Sequence, residues 1–178
     1  MSRGSKDMNY DAITAWAALV AAIIAVLAIW AESRRQRFAM GVELLLRLDE
    51  QFHTERMLAN KKRIACAFLA NDCSQVPNEM IEIIDFYDEV GFFVRRGGLD
   101  KKAVYTFFFS YMFRFWYVAR DYVDQERRQD PTLWNDYEKL YRDLHKIELA
   151  ERRKLKVSLE LQEDELRQYF AEDAELEV

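Results

Sequence analysis

The stretch AITAWAALVAAIIAVLAIWA, residues 12–31, runs 20 positions without a charge between Asp11 and Glu32. As an α-helix such a run is about 30 Å long, the hydrocarbon thickness of a bilayer. Eight of its residues are Ile, Leu or Val and nine are Ala, so insertion is favoured by roughly 2 to 5 kcal/mol, the alanines contributing little. Tyr10 and Trp30 stand 20 residues apart, which sets their amphipathic rings at opposite headgroup layers. A core helix of a soluble domain seldom goes this far without a polar side chain. A cleaved signal peptide has a shorter apolar region, and Ile29 spoils the small-residue pattern that a cut after Ala31 needs. The expectation is a retained, single transmembrane helix.

Orientation follows from the flanks. Arg34, Arg35, Arg37 and Arg47 follow the span, whereas Arg3 and Lys6 precede it and are diluted by Asp7 and Asp11. Cytoplasmic flanks are the ones enriched in Lys and Arg, so residues 1–11 are expected outside and residues 32 onward in the cytoplasm. Cys66 and Cys73 then sit in a reducing compartment, and with no CxxC or Cys/His cluster they read as free thiols. Ala17, Ala21 and Ala25 form a small-residue stripe that would let two spans approach, although a segment nearly half Ala produces such a stripe by chance.

The whole chain has 178 residues, with 26 Lys and Arg against 31 Asp and Glu, a net charge of -5. That length suits one domain with an appendage, and the acidic balance argues against a nucleic-acid partner, which needs a basic surface. Five Gly and two Pro are too few for a turn-rich β fold, and 51% apolar with 32% charged residues points to helices with divided faces. The class is all-α: one transmembrane helix continuing into a cytoplasmic bundle of about five helices over residues 32–158, closed by an acidic amphipathic helix within 159–178.

Beyond the span, Phe38, Val42, Leu45, Leu48 and Phe52 keep helical spacing with only Gly41 intervening, so the first helix is expected to run on to about Glu50. A second helix spans about Thr54 to Ala70 with Thr54 as its N-cap and Met57, Leu58, Ala65, Phe68 and Leu69 as its apolar side. Residues 71–78 read as a loop. The third helix runs from about Glu79 to Arg96 and stops at Gly97 or Gly98. Asp100 caps the fourth, which reaches about Arg128 and carries ten aromatics in the 18 positions 105–122. Apolar nearly all round, it is the expected central helix; its uncharged core, Ala103 to Phe113, is too short for a second span. The fifth starts at Asp130 or Thr132 and reaches about Leu155, and the sixth covers about Leu159 to Ala174.

Chemical motifs are sparse. Glu50 and His53 have the Glu-x-x-His spacing of di-iron bundles, but His145 has Arg142 where the second glutamate belongs. Glu82, Asp85 and Glu89, with Asp88 beside them, make a carboxylate stripe that a metal-dependent hydrolase could use. The favoured role is a structural ion pair from Asp85 or Glu89 to Arg114 on the aromatic helix. The clusters Lys61-Lys62-Arg63, Arg127-Arg128 and Arg152-Arg153-Lys154 read as solvated runs. No phosphate loop, nucleophile elbow or dinucleotide fingerprint is present. No catalytic residue, metal ligand or cofactor is therefore assigned.

The order of elements, with GVELLLRLDEQF (41–52), IIDFYDEVGFFVRRGGLD (83–100), Trp116 in an aromatic helix and WNDYEKLY (134–141), resembles an uncharacterised bacterial family, domain of unknown function family 4760. The resemblance covers about Ala12 to Tyr141. It implies a bacterial inner-membrane setting and brings no activity. The reading is a non-enzymatic, membrane-anchored interaction module with the lipid bilayer and a protein partner or its own copies as partners, and membrane-interface residues Tyr10, Trp30, Arg34, Arg35 and Arg37. A membrane-perturbing stress or phage-defence effector and an anchored metal-dependent enzyme are the alternatives.

Overall fold

The computed structural model describes residues 4–155 and 163–175, with the side chains of 4–15, 75 and 155 outside the description. Every regular element among them is helical: α1 (Gly4–Phe52), α2 (Glu55–Leu69), a 3-10 turn (Cys73–Gln75), α3 (Pro77–Arg95), α4 (Lys101–Glu126), α5 (Asn135–Leu155) and α6 (Glu163–Ala174). The all-α class and the helical bundle expected from composition are thus what the chain forms. The chain divides into two units, Met1–Met40 and Gly41–Val178.

The first unit is a stretch of α1. Its Trp16, Leu19, Val20, Ile23, Ile24, Val26, Leu27, Ile29 and Trp30 are all exposed. It contains a window of mean hydropathy 2.0 in which no residue is buried. By length and composition it is the one described helix able to cross a membrane. The helix runs on past Glu50 as the spacing of Phe38, Val42, Leu45, Leu48 and Phe52 implies; Phe38 and Val42 are exposed, and burial along α1 begins at Leu45 and includes Leu48 and Phe52.

In the second unit local chemistry sets most helix ends. The Thr54 side chain accepts the Met57 N–H at the start of α2, and Asp100 accepts those of Lys102 and Ala103 at the start of α4. α2 ends on Asn71 and α3 on Gly97, both with positive φ (56° and 72°). In each case paired backbone bonds close the turn: Asn71 N–H to Phe68 O and Asp72 N–H to Ala67 O, then Gly97 N–H to Val94 O and Gly98 N–H to Phe93 O. α3 begins two residues earlier than expected, because Pro77 occupies its first turn, where a missing N–H costs nothing.

α4 is the central helix, burying Phe108, Phe109, Tyr111, Met112, Phe113 and Phe115 among others. Its face toward α1 and α3 is aromatic: the Phe52 ring lies 5.0 Å from Phe86, 5.7 Å from Tyr87, 5.7 Å from Phe108 and 5.5 Å from Tyr111.

The start of α5 differs from expectation. Neither Asp130 nor Thr132 caps it; Asp130 Oδ1 accepts the Thr132 N–H at 2.9 Å and closes a local turn, and the helix begins only at Asn135. Trp134 holds a left-handed backbone (φ 51°), unfavourable for a side chain of its size. The surroundings hold it there. Arg127 donates to Leu133 O (2.8 Å), Trp134 O (2.9 Å) and the Glu138 carboxylate (2.6 Å), and the Trp134 indole N–H donates to Asp85 (2.7 Å). The cap of α5 comes from α3: Asp88 Oδ1 accepts the Asp136 and Tyr137 N–H groups at 3.0 and 2.9 Å.

One turn along α3 from Asp88, Gly91 lets the α5 backbone approach so closely that a Cβ at 91 would lie 2.4 Å from Asp136 O. A turn further, Arg95 grips the Asp136 carboxylate with two bonds of 2.6 and 2.7 Å, and the Tyr87 and Tyr137 rings stack beneath at 5.5 Å. Asp85, Asp88, Gly91 and Arg95 recur at three- and four-residue steps and so share one face of α3. Substituting Gly91→Ala should therefore destabilise the bundle by about 1 to 3 kcal/mol through overpacking. Asp88→Ala should cost about 1 to 2 kcal/mol through the lost cap. Denaturant titration followed by circular dichroism measures both.

Candidate functional site

The residues singled out from the sequence resolve into three groups. In the first part of α1, the Arg34 guanidinium lies 5.7 Å from the Trp30 ring centre, and Arg34, Arg35 and Arg37 are exposed. The Tyr10 side chain is outside the described residues. Three of the four acids singled out on α3 hold other helices or the chain before α5, while Glu89 is exposed. Glu82 accepts from Arg56 Nε (2.9 Å) and Asn60 (2.7 Å), Asp85 from Trp134, and Asp88 from the α5 backbone.

The ion pair expected from Asp85 or Glu89 to Arg114 is not formed. Arg114 instead donates to Ser110 O (2.8 Å) and Oγ (2.7 Å) on its own helix, with its guanidinium 4.1 Å over the Tyr169 ring of α6. Asp85 faces the α5 seam while Arg114 faces α6, so the charges that the sequence paired serve different neighbours. His53 turns its Nδ1 to Asp49 O (2.8 Å), and His145 lies beside both Phe113 and Tyr141, near parallel to each. Among the described residues no three His, Cys, Asp or Glu gather into a metal-binding group. Cys66 and Cys73 are free.

The third group is one that sequence reading misplaced. Lys61, assigned to a solvated basic run, is only 5% exposed. It stands four residues after Met57 and three before Ile64, on the buried stripe of α2. Its ammonium donates to Phe52 O at 3.0 Å, satisfying a carbonyl at the negative end of α1. The same nitrogen lies 3.3 Å from the Phe52 ring centre and 5.2 Å from that of Tyr111, so two π faces replace part of its lost hydration. Burial pulls the ammonium down to about 8, against the fields of Asp173 and Asp49. With Nζ so engaged, Lys61 ties α2 to the end of α1 and to the aromatic face of α4.

α6 lies over this pocket. Leu166 and Phe170 are its buried residues. The Phe170 ring lies 5.1 Å from Phe68 of α2 and 6.4 Å from Tyr111 of α4, while Arg167 donates to Asn71 Oδ1 at 2.7 Å. Polar matching is incomplete. Among the described residues, Asp173 Oδ2 and the hydroxyls of Tyr87, Tyr111 and Tyr137 are buried without a hydrogen-bond partner. Each such atom costs about 1 to 3 kcal/mol. Burial pushes the Asp173 carboxyl up to about 6, opposed by Lys61.

Because the docked Asp173 holds its proton more tightly than a free carboxyl, its contribution to holding α6 is complete below pH about 4 and lost as pH rises through 6. Lys61→Met removes the opposing ammonium and should move that titration to higher pH, as followed by the carboxyl carbon resonance of Asp173; an unmoved titration would mean the two groups do not sense each other.

No curated protein and no solved structure matches the chain. A family model does, over residues 15–144, a range that takes in α2, α3, α4 and the first half of α5 and leaves α6 outside. The chain belongs to the family described as "Domain of unknown function (DUF4760)".

Proposed function

We propose that the protein is a membrane-anchored helical interaction module. In this reading residues 12–31 cross a bacterial inner membrane, residues 1–11 lie outside, and the bundle sits on the cytoplasmic side, where it holds a protein partner near the bilayer and catalyses no reaction. The observation that carries it is the exposed apolar face all round the first part of α1, with mean hydropathy 2.0 and nothing buried. Apolar surface on that scale marks a lipid or protein contact. The flanking charges support the orientation: Arg34, Arg35 and Arg37 follow Trp30, and each base near an anionic leaflet contributes about 1 kcal/mol.

The absence of catalysis is supported by how the acids are used. Of the acids that could serve metal chemistry, Glu82, Asp85 and Asp88 are already bonded to Arg56, Trp134 and the α5 backbone, while Glu89 is exposed. Cell fractionation tests the anchor. The full chain should sediment with membranes and resist extraction by high salt and carbonate, whereas deletion of residues 12–31 should move the bundle into the supernatant. Full-length protein in the soluble fraction without detergent would refute the reading.

A further inference from the structure

We propose that the groove between α2 and α4 is a helix-docking site which α6 fills in cis, and that its occupant in trans is an acidic amphipathic helix presenting Leu and Phe four residues apart and a carboxyl group three residues later. This deepens the interaction-module reading by naming the kind of partner, and it rests on that reading.

α6 shows the chemistry the groove accepts. Leu166, Phe170 and Asp173 stand at i, i+4 and i+7, the spacing with which a helix anchors in a groove. Phe170 enters between Phe68 and Tyr111, and Tyr169 lies under the Arg114 guanidinium. The charges are complementary: α6 carries Glu163, Asp164, Glu165, Glu172 and Asp173 against Arg167, while the groove supplies Lys61 and Arg114.

Two further observations mark α6 as replaceable. The groove is built by residues inside the family match and its cover lies outside it. The fit is also imperfect, because Asp173 Oδ2 and the Tyr111 hydroxyl are buried without partners. A helix that satisfied the Tyr111 hydroxyl, and whose own acid found partners for both oxygens, would displace α6 with the apolar contacts retained.

The test uses the full chain in mild detergent and a fluorescein-labelled peptide, EDELRQYFAEDAE, copied from residues 163–175. Leu166→Asp combined with Phe170→Asp expels α6 from its own groove. That variant should bind the peptide roughly a hundredfold more tightly than the native chain, whose groove is occupied at a high effective concentration. Binding should weaken with salt and be lost when Lys61→Glu is added. A variant that keeps native helicity yet does not bind, or a native chain that binds equally well, overturns the proposal.

Should the double variant not fold, hydrogen exchange on the native chain decides. α6 should exchange far faster than α3 and α5, and exchange of all three at one rate makes α6 an integral part of the bundle and overturns the idea. A native dimer that the double variant loses would place a second copy's α6 in the groove and likewise reject a separate partner. Membrane fractionation bears on the anchor alone, so the two readings fail independently.

Discussion

The bundle depends on the contact between the backbone of α5 at Asp136 and the flat place that Gly91 leaves on α3. A helix start has unpaired N–H groups, and α5 buries its first turn against another helix instead of offering it to water. Asp88 supplies the missing acceptor, Arg95 neutralises the carboxylate that accompanies it, and Asp85 fixes the indole preceding the helix. From the other side Arg127, at the end of α4, holds the two carbonyls of the left-handed turn. Three helices are locked by these few polar groups, and the aromatic interior of α4 packs inside that frame.

The same logic makes Glu82, Asp85 and Asp88 fasteners between helices. Carboxylates on a surface helix are free to bind a cation only if no protein donor claims them. Along α3 the donors arrive from α2 and α5, and the ordering of a metal's ligands would have to compete with bonds already made in the folded state. Lys61 shows the complementary case. A buried ammonium is tolerated because it finishes α1 and faces two rings, yet its carboxylate counterpart on α6 sits in a seam whose hydrogen bonding is incomplete. The second unit therefore contains one joint closed by a borrowed cap and a close backbone approach, α3 with α5, and one closed mainly by rings, α6 over α2 and α4, and each buries polar atoms without partners.

Features set by neighbouring residues were legible in the sequence. Thr54 and Asp100 cap where their spacing to the next apolar residues says they should, Gly97 stops α3, and the aromatic density of α4 announces a helix contacted on several sides. What escaped depends on residues far apart. Trp134 gives no local hint of a left-handed backbone, since the groups holding it belong to α3 and α4, and α5 consequently starts later than its own polar residues suggest. Asp88 looks like one more surface acid until α5 meets it. Lys61 was hidden by its company: Lys62 and Arg63 make the run look solvated, while the three- and four-residue steps to Met57 and Ile64 place it inward. Arg114 had an attractive acid on α3 and found an aromatic ring on a helix whose docking no local pattern specifies.

The cap that α3 lends to α5 also sets an order of events during synthesis. Asp88 and the Asp136 N–H are 48 residues apart, and a ribosome adding about 5 to 20 residues per second needs roughly 2 to 10 s to cover that distance. For a delay of that length after α3 emerges, Tyr87 and the flat surface at Gly91 are unmet by α5. The nascent chain thus carries an incomplete, apolar half-joint for that time, and translation speed becomes part of how this bundle is assembled.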